Sequence, residues 1–179
     1  MNKMRHEKLK ILSFLLQFPD ERMLADLSAA RGQIAAAFDG AEPEKVDRLV
    51  RHLLTRPVLE LQETFSNLFD LSPSTCLNLT YHRFGDDKER GQVLARYAQA
   101  YSDAGYALAF PELPDYLPMV LELAAETGNS DNRWMLYENQ PAIAALADRL
   151  AAADSPYAGV LEITAQMLAL PENKSHQEA

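Results

Sequence analysis

The sequence predicts an all-α protein, a single-domain bundle of roughly seven to nine helices. Apolar residues recur with the helical period along nearly the whole chain. Prolines and glycines fall between the periodic stretches or at their starts, where they punctuate helices rather than break them. No alternating stretch is long enough for a useful strand, "ALAF" and "LNLTY" being the nearest. With 179 residues the chain can bury one core. Residues 1–170 read as the helical domain and 171–179 as a flexible polar tail.

Each element has its own signature. Lys3 to Phe18 carries Leu9, Leu12, Leu15 and Leu16, with Ile11, Phe14 and Phe18 on other faces, which marks a central helix. Pro19 stops it, and Asp20 is placed to cap a second helix striped by Met23, Leu24, Leu27, Ile34 and Phe38. Gly40 ends that helix, and Pro43 starts a third with Val46, Leu49, Val50, Leu53 and Leu54. Pro57 opens a fourth, on which Val58, Leu61, Phe65, Leu68 and Phe69 share a face. After the loop "DLSPSTCLNLTYHRFG", Asp86 and Glu89 have the spacing of a capping box. The helix they open carries Val93, Leu94, Tyr97 and Tyr101 and ends at Gly105.

The stretch "PELPDYLPMVLEL" holds Pro111, Pro114 and Pro118. With Asp115 as N-cap, Tyr116, Leu117 and Pro118 would be the first helical residues, and the N–H that Pro118 lacks would be an orphan anyway. Pro111 and Pro114 hold the approach extended, and Leu117, Val120 and Leu121 mark the buried face. "RWMLYENQ" reads as a short helical turn or loop. Ile143, Leu146, Ala147 and Leu150 stripe the next helix. Ser155 caps the last, with Pro156 in its first turn and Tyr157, Val160, Leu161, Met167 and Leu168 inward.

Composition narrows the function. The net charge of −9 argues against nucleic-acid binding, which needs a lysine and arginine excess. It suits a cationic partner, and equally suits plain solubility. No apolar run approaches the ~20 residues of a membrane span. "ILSFLLQF" follows a basic start but has no small-residue cleavage site behind it, so the expected location is cytoplasmic. Cys76 is the only cysteine, which excludes a disulfide framework within the chain.

No constellation proposes catalysis. His6, His52, His82 and His176 are far apart, and none has a metal-binding partner one turn away. Glu122 and Glu126 sit one turn apart, but the Glu-x-x-His motifs of di-metal bundles are missing, so a solvated acidic face explains them. There is no Gly-x-Ser-x-Gly, P-loop, Gly-x-Gly-x-x-Gly or Cys-x-x-Cys. Instead, "ETFSNLFDLS", "LTYHRFGDDKERGQ" and "PELPDYLPMVLELAAE" mix aromatics with charges in and around loops. That mix suits a concave site gripping a peptide by apolar anchors and fixing its charges at the rim.

These blocks, with the start "LKILSFLLQFPDE", closely resemble the NarJ-type chaperones, the delta subunits of respiratory nitrate reductase, within the wider TorD- and DmsD-like redox-enzyme maturation family. The pairing of "TYHRFGDDKERG" with "ELPDYLP" is the specific part. Relatives in the wider family carry an aspartate–histidine pair after the proline, where this chain has Asp115 and Tyr116. The resemblance implies a cytoplasmic helical chaperone, not an enzyme. Its implied partner is the apo catalytic subunit of nitrate reductase, bound through a basic, leader-like N-terminal segment before membrane docking. Molybdenum-cofactor delivery proteins are further implied partners. No cofactor is held stably, and the molybdenum cofactor is handled through the client. A chaperone of another molybdoenzyme, a non-catalytic helical scaffold and a metal-dependent helical enzyme are the rival readings.

The candidate peptide-binding residues are Phe65, Phe69, His82, Arg90, Tyr97, Tyr101, Pro114, Asp115, Tyr116 and Glu122. Phe65 and Phe69 also serve as simple core residues, and Tyr97 and Tyr101 fit core and groove alike. Arg90 can pair with Asp86 or Asp87, or stand with His82 on the rim of the site. The expected groove lies between the 58–69, 90–104 and 116–124 helices, with Tyr97, Tyr101 and Tyr116 around one hollow.

Overall fold

The structure, a computed structural model, describes residues 3–108, 112–127 and 131–169. The expected tail and Pro111 lie outside the described residues. The long helices are α1 (Lys3–Leu15), α2 (Glu21–Ala36), α3 (Glu42–Thr55), α4 (Val58–Phe65), α6 (Glu89–Asp103), α7 (Leu117–Glu126), α9 (Gln140–Ala152) and α10 (Ala158–Ala169). Two short ones, α5 (Tyr81–Phe84) and α8 (Trp134–Glu138), complete the α-helical set among the described residues. The all-α expectation holds. The nearest approach to a strand is an isolated antiparallel bridge between Asn78 and Tyr116, at the "LNLTY" stretch.

Central α1 packs along α7 and touches α10, while α10 also lies against α9 and α3, and α2 against α3. The Leu9, Leu12 and Leu15 side chains of α1, with Leu16 just past its end, are all buried, as its broad apolar surface requires. Polar ties fix its neighbours. Ser13 Oγ donates to the Pro118 carbonyl on α7 at 2.7 Å. Arg5 Nη2 donates to the Met167 carbonyl near the end of α10 at 2.7 Å. The Lys8 ammonium, on a buried residue, meets Asp39 at 3.1 Å and Glu42 at 2.5 Å. Burial alone would lower its pKa, but the hydrogen bonds to Glu42 and Asp39 outweigh that and raise it.

The helix boundaries show which local signals act. Asp20 caps α2 as expected, its Oδ1 accepting from Met23 N–H at 2.7 Å. Asp86 does not cap α6. The N-cap residue is Lys88, with no side-chain cap bond, and just before it Asp87 Oδ1 accepts from Glu89 N–H at 2.9 Å. Ser155 Oγ accepts from Tyr157 N–H at 3.3 Å, and α10 begins at Ala158, two residues beyond Pro156. The fourth helix does not run on regularly to Phe69. From Ser66 to Asp70 it widens into a π-helical turn, closed by Leu71 N–H on the Ser66 carbonyl at 2.9 Å. Thr75 Oγ1 donates to the Leu68 carbonyl of this turn.

Gly159 lies at a close approach of α10 to α3: a Cβ there would lie 2.7 Å from Lys45 Cβ and 3.2 Å from its Cα and carbonyl oxygen. Gly159→Ala therefore pushes two helices apart, and we expect a loss of about 1–3 kcal/mol in denaturant unfolding. An unchanged midpoint would mean that this crossing is looser than described.

Candidate functional site

The approach to α7 is built around a buried carboxylate. Asp115 is 0 % exposed. Its Oδ2 accepts from Thr80 N–H at 3.1 Å, from Thr80 Oγ1 at 2.5 Å and from Arg90 Nη2 at 3.2 Å. Its Oδ1 accepts from Asn78 Nδ2 at 3.0 Å. Arg90 Nε adds a bond to Thr80 Oγ1 at 3.0 Å, and its guanidinium lies 5.2 Å from the Tyr81 ring centroid. The main chain closes the same joint, Leu79 N–H donating to the Asp115 carbonyl at 3.0 Å and Leu117 N–H to the Leu77 carbonyl at 2.9 Å. This corrects the capping reading: Tyr116 is the N-cap residue of α7, no side chain caps it, and Leu117 and Pro118 begin the helix. Asp115 faces inward because Arg90, Thr80 and Asn78 meet it there, and a buried carboxylate needs such partners. Arg90 pairs with Asp115, not with Asp86 or Asp87.

Above this joint lies an open hollow of about 390 Å³, within the range of about 300–1,000 Å³ common for ligand pockets. Phe69, Tyr81 and Arg90 line it with Cys76 and Asn78, and Leu71 and Leu113 stand at its edge, 74 % and 41 % exposed. The π turn delivers Phe69 inward and Asp70 and Leu71 to the rim. Arg90, 15 % exposed, presents its guanidinium with its charge already matched by Asp115. Burial raises the Cys76 thiol pKa, which disfavours the thiolate.

Of the expected groove residues, Phe69 and Arg90 line this hollow and the others do not. Phe65 is core, its ring edge-on to Phe18, Phe69 and Tyr157. Tyr97 is fully buried; its hydroxyl accepts from Asn139 Nδ2 at 2.6 Å and its ring meets Trp134 edge-on at 5.0 Å. Burial, only partly offset by Asn139, pushes its pKa up to about 12. Tyr101 is buried, and among the described residues its hydroxyl has no hydrogen-bond partner; burial first, then the Glu122 carboxylate, raises its pKa. Tyr116 is half-buried, with its pKa raised by burial and then by Glu112 and Asp70. Pro114 is buried beside Asp115, and Glu122 is exposed on α7. Tyr97 and Tyr101 thus belong to the interior.

His82 lines a separate hollow with Arg83, Glu138, Asn139 and Arg149, and its Nε2 lies 2.8 Å from the Cys76 carbonyl. Burial lowers its pKa against the pull of that carbonyl, so the neutral ring donates there. A further apolar hollow of about 290 Å³ lies between α1 and α2, lined by Ile11, Phe14, Ala30 and Ile34 among others. Among the described residues no group of His, Cys, Asp or Glu could hold a metal ion, and no helix is long and apolar enough to cross a membrane.

The sequence profile described as nitrate reductase delta subunit matches residues 35–162, well over half of the chain. The chain belongs to that family. This delta-subunit-family chain is 31% identical to the Probable nitrate reductase molybdenum cofactor assembly chaperone NarJ of Bacillus subtilis, over 94% of this chain and 90% of that one. It is also 31% identical to the Nitrate reductase molybdenum cofactor assembly chaperone NarJ of Escherichia coli K12, over 87% of this chain and 67% of that one. A third relative, the Nitrate reductase-like protein NarX of Mycobacterium tuberculosis H37Rv, is 34% identical over 82% of this chain, which spans only 22% of that longer protein. A crystal structure of a putative redox enzyme maturation protein from Archaeoglobus fulgidus shares the fold, with a TM-score of 0.61 at 22% identity over 95% of this chain and 96% of that one.

Of the ten candidate peptide-binding residues Phe69 and Arg90 line this hollow, while Asp70, Leu71, Asn78, Tyr81 and Leu113, which also line it, are not among the candidates. The available signal was a pair of leucines, Leu71 and Leu113, standing in polar loops outside any helical stripe.

Proposed function

We infer that this chain is a system-specific chaperone of respiratory nitrate reductase. It binds the basic, leader-like N-terminal segment of the apo catalytic subunit and keeps that subunit competent for molybdenum cofactor insertion before membrane docking. The observation that carries the reading is the 31% identity to an assembly chaperone over nearly the full length of both chains. The geometry supports a docking role. Exposed Leu71 and Leu113 flank a preformed hollow whose floor is locked by Asp115, so little ordering entropy is lost when a segment seats there. The cofactor belongs to the client, and this chain's part is to bind and orient the polypeptide around it.

Calorimetric titration with a synthetic peptide of the client's N-terminal segment tests this. We expect saturable one-to-one heat at tens of micromolar protein. Absence of heat with a folded protein would overturn the reading.

A further inference from the structure

Carboxylates outnumber cations over the whole chain, whose net charge is −9, so a local excess of arginine is informative. The hollow that His82 lines holds about 440 Å³ and shares no lining residue with the one beside the π turn. Arg83 and Arg149 line it, both exposed, and Glu138 is its one acid among the described residues. That carboxylate is already shared: Arg83 Nη1 donates to its Oε1 at 3.2 Å, and Arg96 Nη2 donates to its Oε2. Arg149 is met by a neutral group, its Nη1 donating to the Ser74 carbonyl at 2.9 Å, and it forms no ion pair among the described residues. Asp148 adjoins Arg149 in sequence but does not line the hollow. Three guanidiniums therefore gather about one carboxylate.

The shape of this face suits a polypeptide rather than a compact anion. Pro141, Ala142, Ala145 and Arg149 fall on one stripe of α9, spanning about 12 Å of helix. The proline and the two alanines let another backbone come close, and Arg83 and Arg149 offer planar forks that match carboxylates. We propose that this face docks an acidic segment of a partner protein, separate from the basic segment proposed for the other hollow. The segment lies along the 141–149 stripe, and its carboxylates meet Arg83 and Arg149, one of them replacing Glu138 as the partner of Arg83. The net negative chain repels an anion at long range, so such a segment binds only where this local excess outweighs that field.

Fluorescence anisotropy of the full chain with two labelled helical peptides tests this, one carrying a glutamate on every turn among alanines and leucines, the other glutamine at those positions. The wild type should bind the glutamate peptide at least about tenfold more tightly at low salt, and about 0.5 M salt should erase the preference. R83Q/R149Q, in which glutamine keeps a donor toward Ser74, should weaken the glutamate peptide about tenfold and leave the glutamine peptide unchanged. E138Q removes the competing carboxylate and should tighten the glutamate peptide about threefold, a gain that loss of folding cannot produce. Circular dichroism checks that both variants fold. Equal affinity for the two peptides, or unchanged glutamate-peptide binding in either variant, would overturn the proposal, as would inorganic pyrophosphate binding this face where the glutamate peptide does not. The client's N-terminal peptide should bind R83Q/R149Q as it binds the wild type, so this proposal and the docking of the client segment fail separately.

Discussion

Asp115→Ala lowers the stability of the fold by about 3–5 kcal/mol, the cost of breaking a buried ion pair by removing one partner. The carboxylate has no exposed surface, and four donors from three residues end on it. Alanine leaves the Arg90 guanidinium, the Thr80 N–H and the Asn78 amide facing a small void. A side chain acting only as an N-cap would cost about 0.5–2 kcal/mol. Asp115→Asn separates charge from shape. It keeps one acceptor oxygen but turns an NH₂ toward donors, so we expect a loss of about 1–3 kcal/mol. Denaturant unfolding at constant m-value measures both, and a double-mutant cycle with Arg90→Ala gives the coupling. A loss under about 1 kcal/mol with no coupling to Arg90 would remove the network from the account.

Phe65→Ala is the second large effect, about 3–5 kcal/mol. The ring sits at the centre of an edge-to-face cluster, 4.8 Å from Phe69, 5.5 Å from Phe18 and 6.0 Å from Tyr157 between centroids. Truncation leaves a cavity where three aromatic edges have lost their contact surface. Leu71→Ala provides the contrast: a side chain 74 % exposed should change stability by less than about 0.5 kcal/mol. Leu71→Ala should weaken client-peptide binding all the same, while Phe65→Ala weakens it only as the fold is lost. Thermal unfolding read beside peptide titration separates the two roles. A Phe65→Ala protein of native stability that had lost binding would return Phe65 to the docking surface.

How far the sequence revealed this architecture follows from the range of each interaction. Periodic leucines mark α1, α3 and α10 because burial on a helix repeats every turn, and Asp20 is readable as a cap because the N–H it accepts from, that of Met23, lies three residues on. Asp115 misleads for the opposite reason. Its position before a helix looks local, yet its partners Arg90, Thr80 and Asn78 lie 25, 35 and 37 residues away. Tyr97 and Tyr101 share a helical face, but periodicity does not say whether that face meets the core or a groove. The answer comes from Asn139, 42 residues distant, which satisfies the Tyr97 hydroxyl. The π turn that brings Asp70 and Leu71 to the rim has no residue signature of its own, so the candidate site was legible only at Phe69 and Arg90.

We propose that the hollow framed by the π turn, the 71–78 loop and Leu113 receives another polypeptide's leading segment. Backbone and methyl NMR shifts of the labelled full chain, followed during titration with the client's N-terminal peptide, locate the contact directly. The account predicts the largest changes at Leu71, Tyr81, Arg90 and Leu113, with Tyr97 and Tyr101 little moved. Changes centred on Ile11, Phe14, Ala30 and Ile34 between α1 and α2, with the first set unaffected, would contradict it.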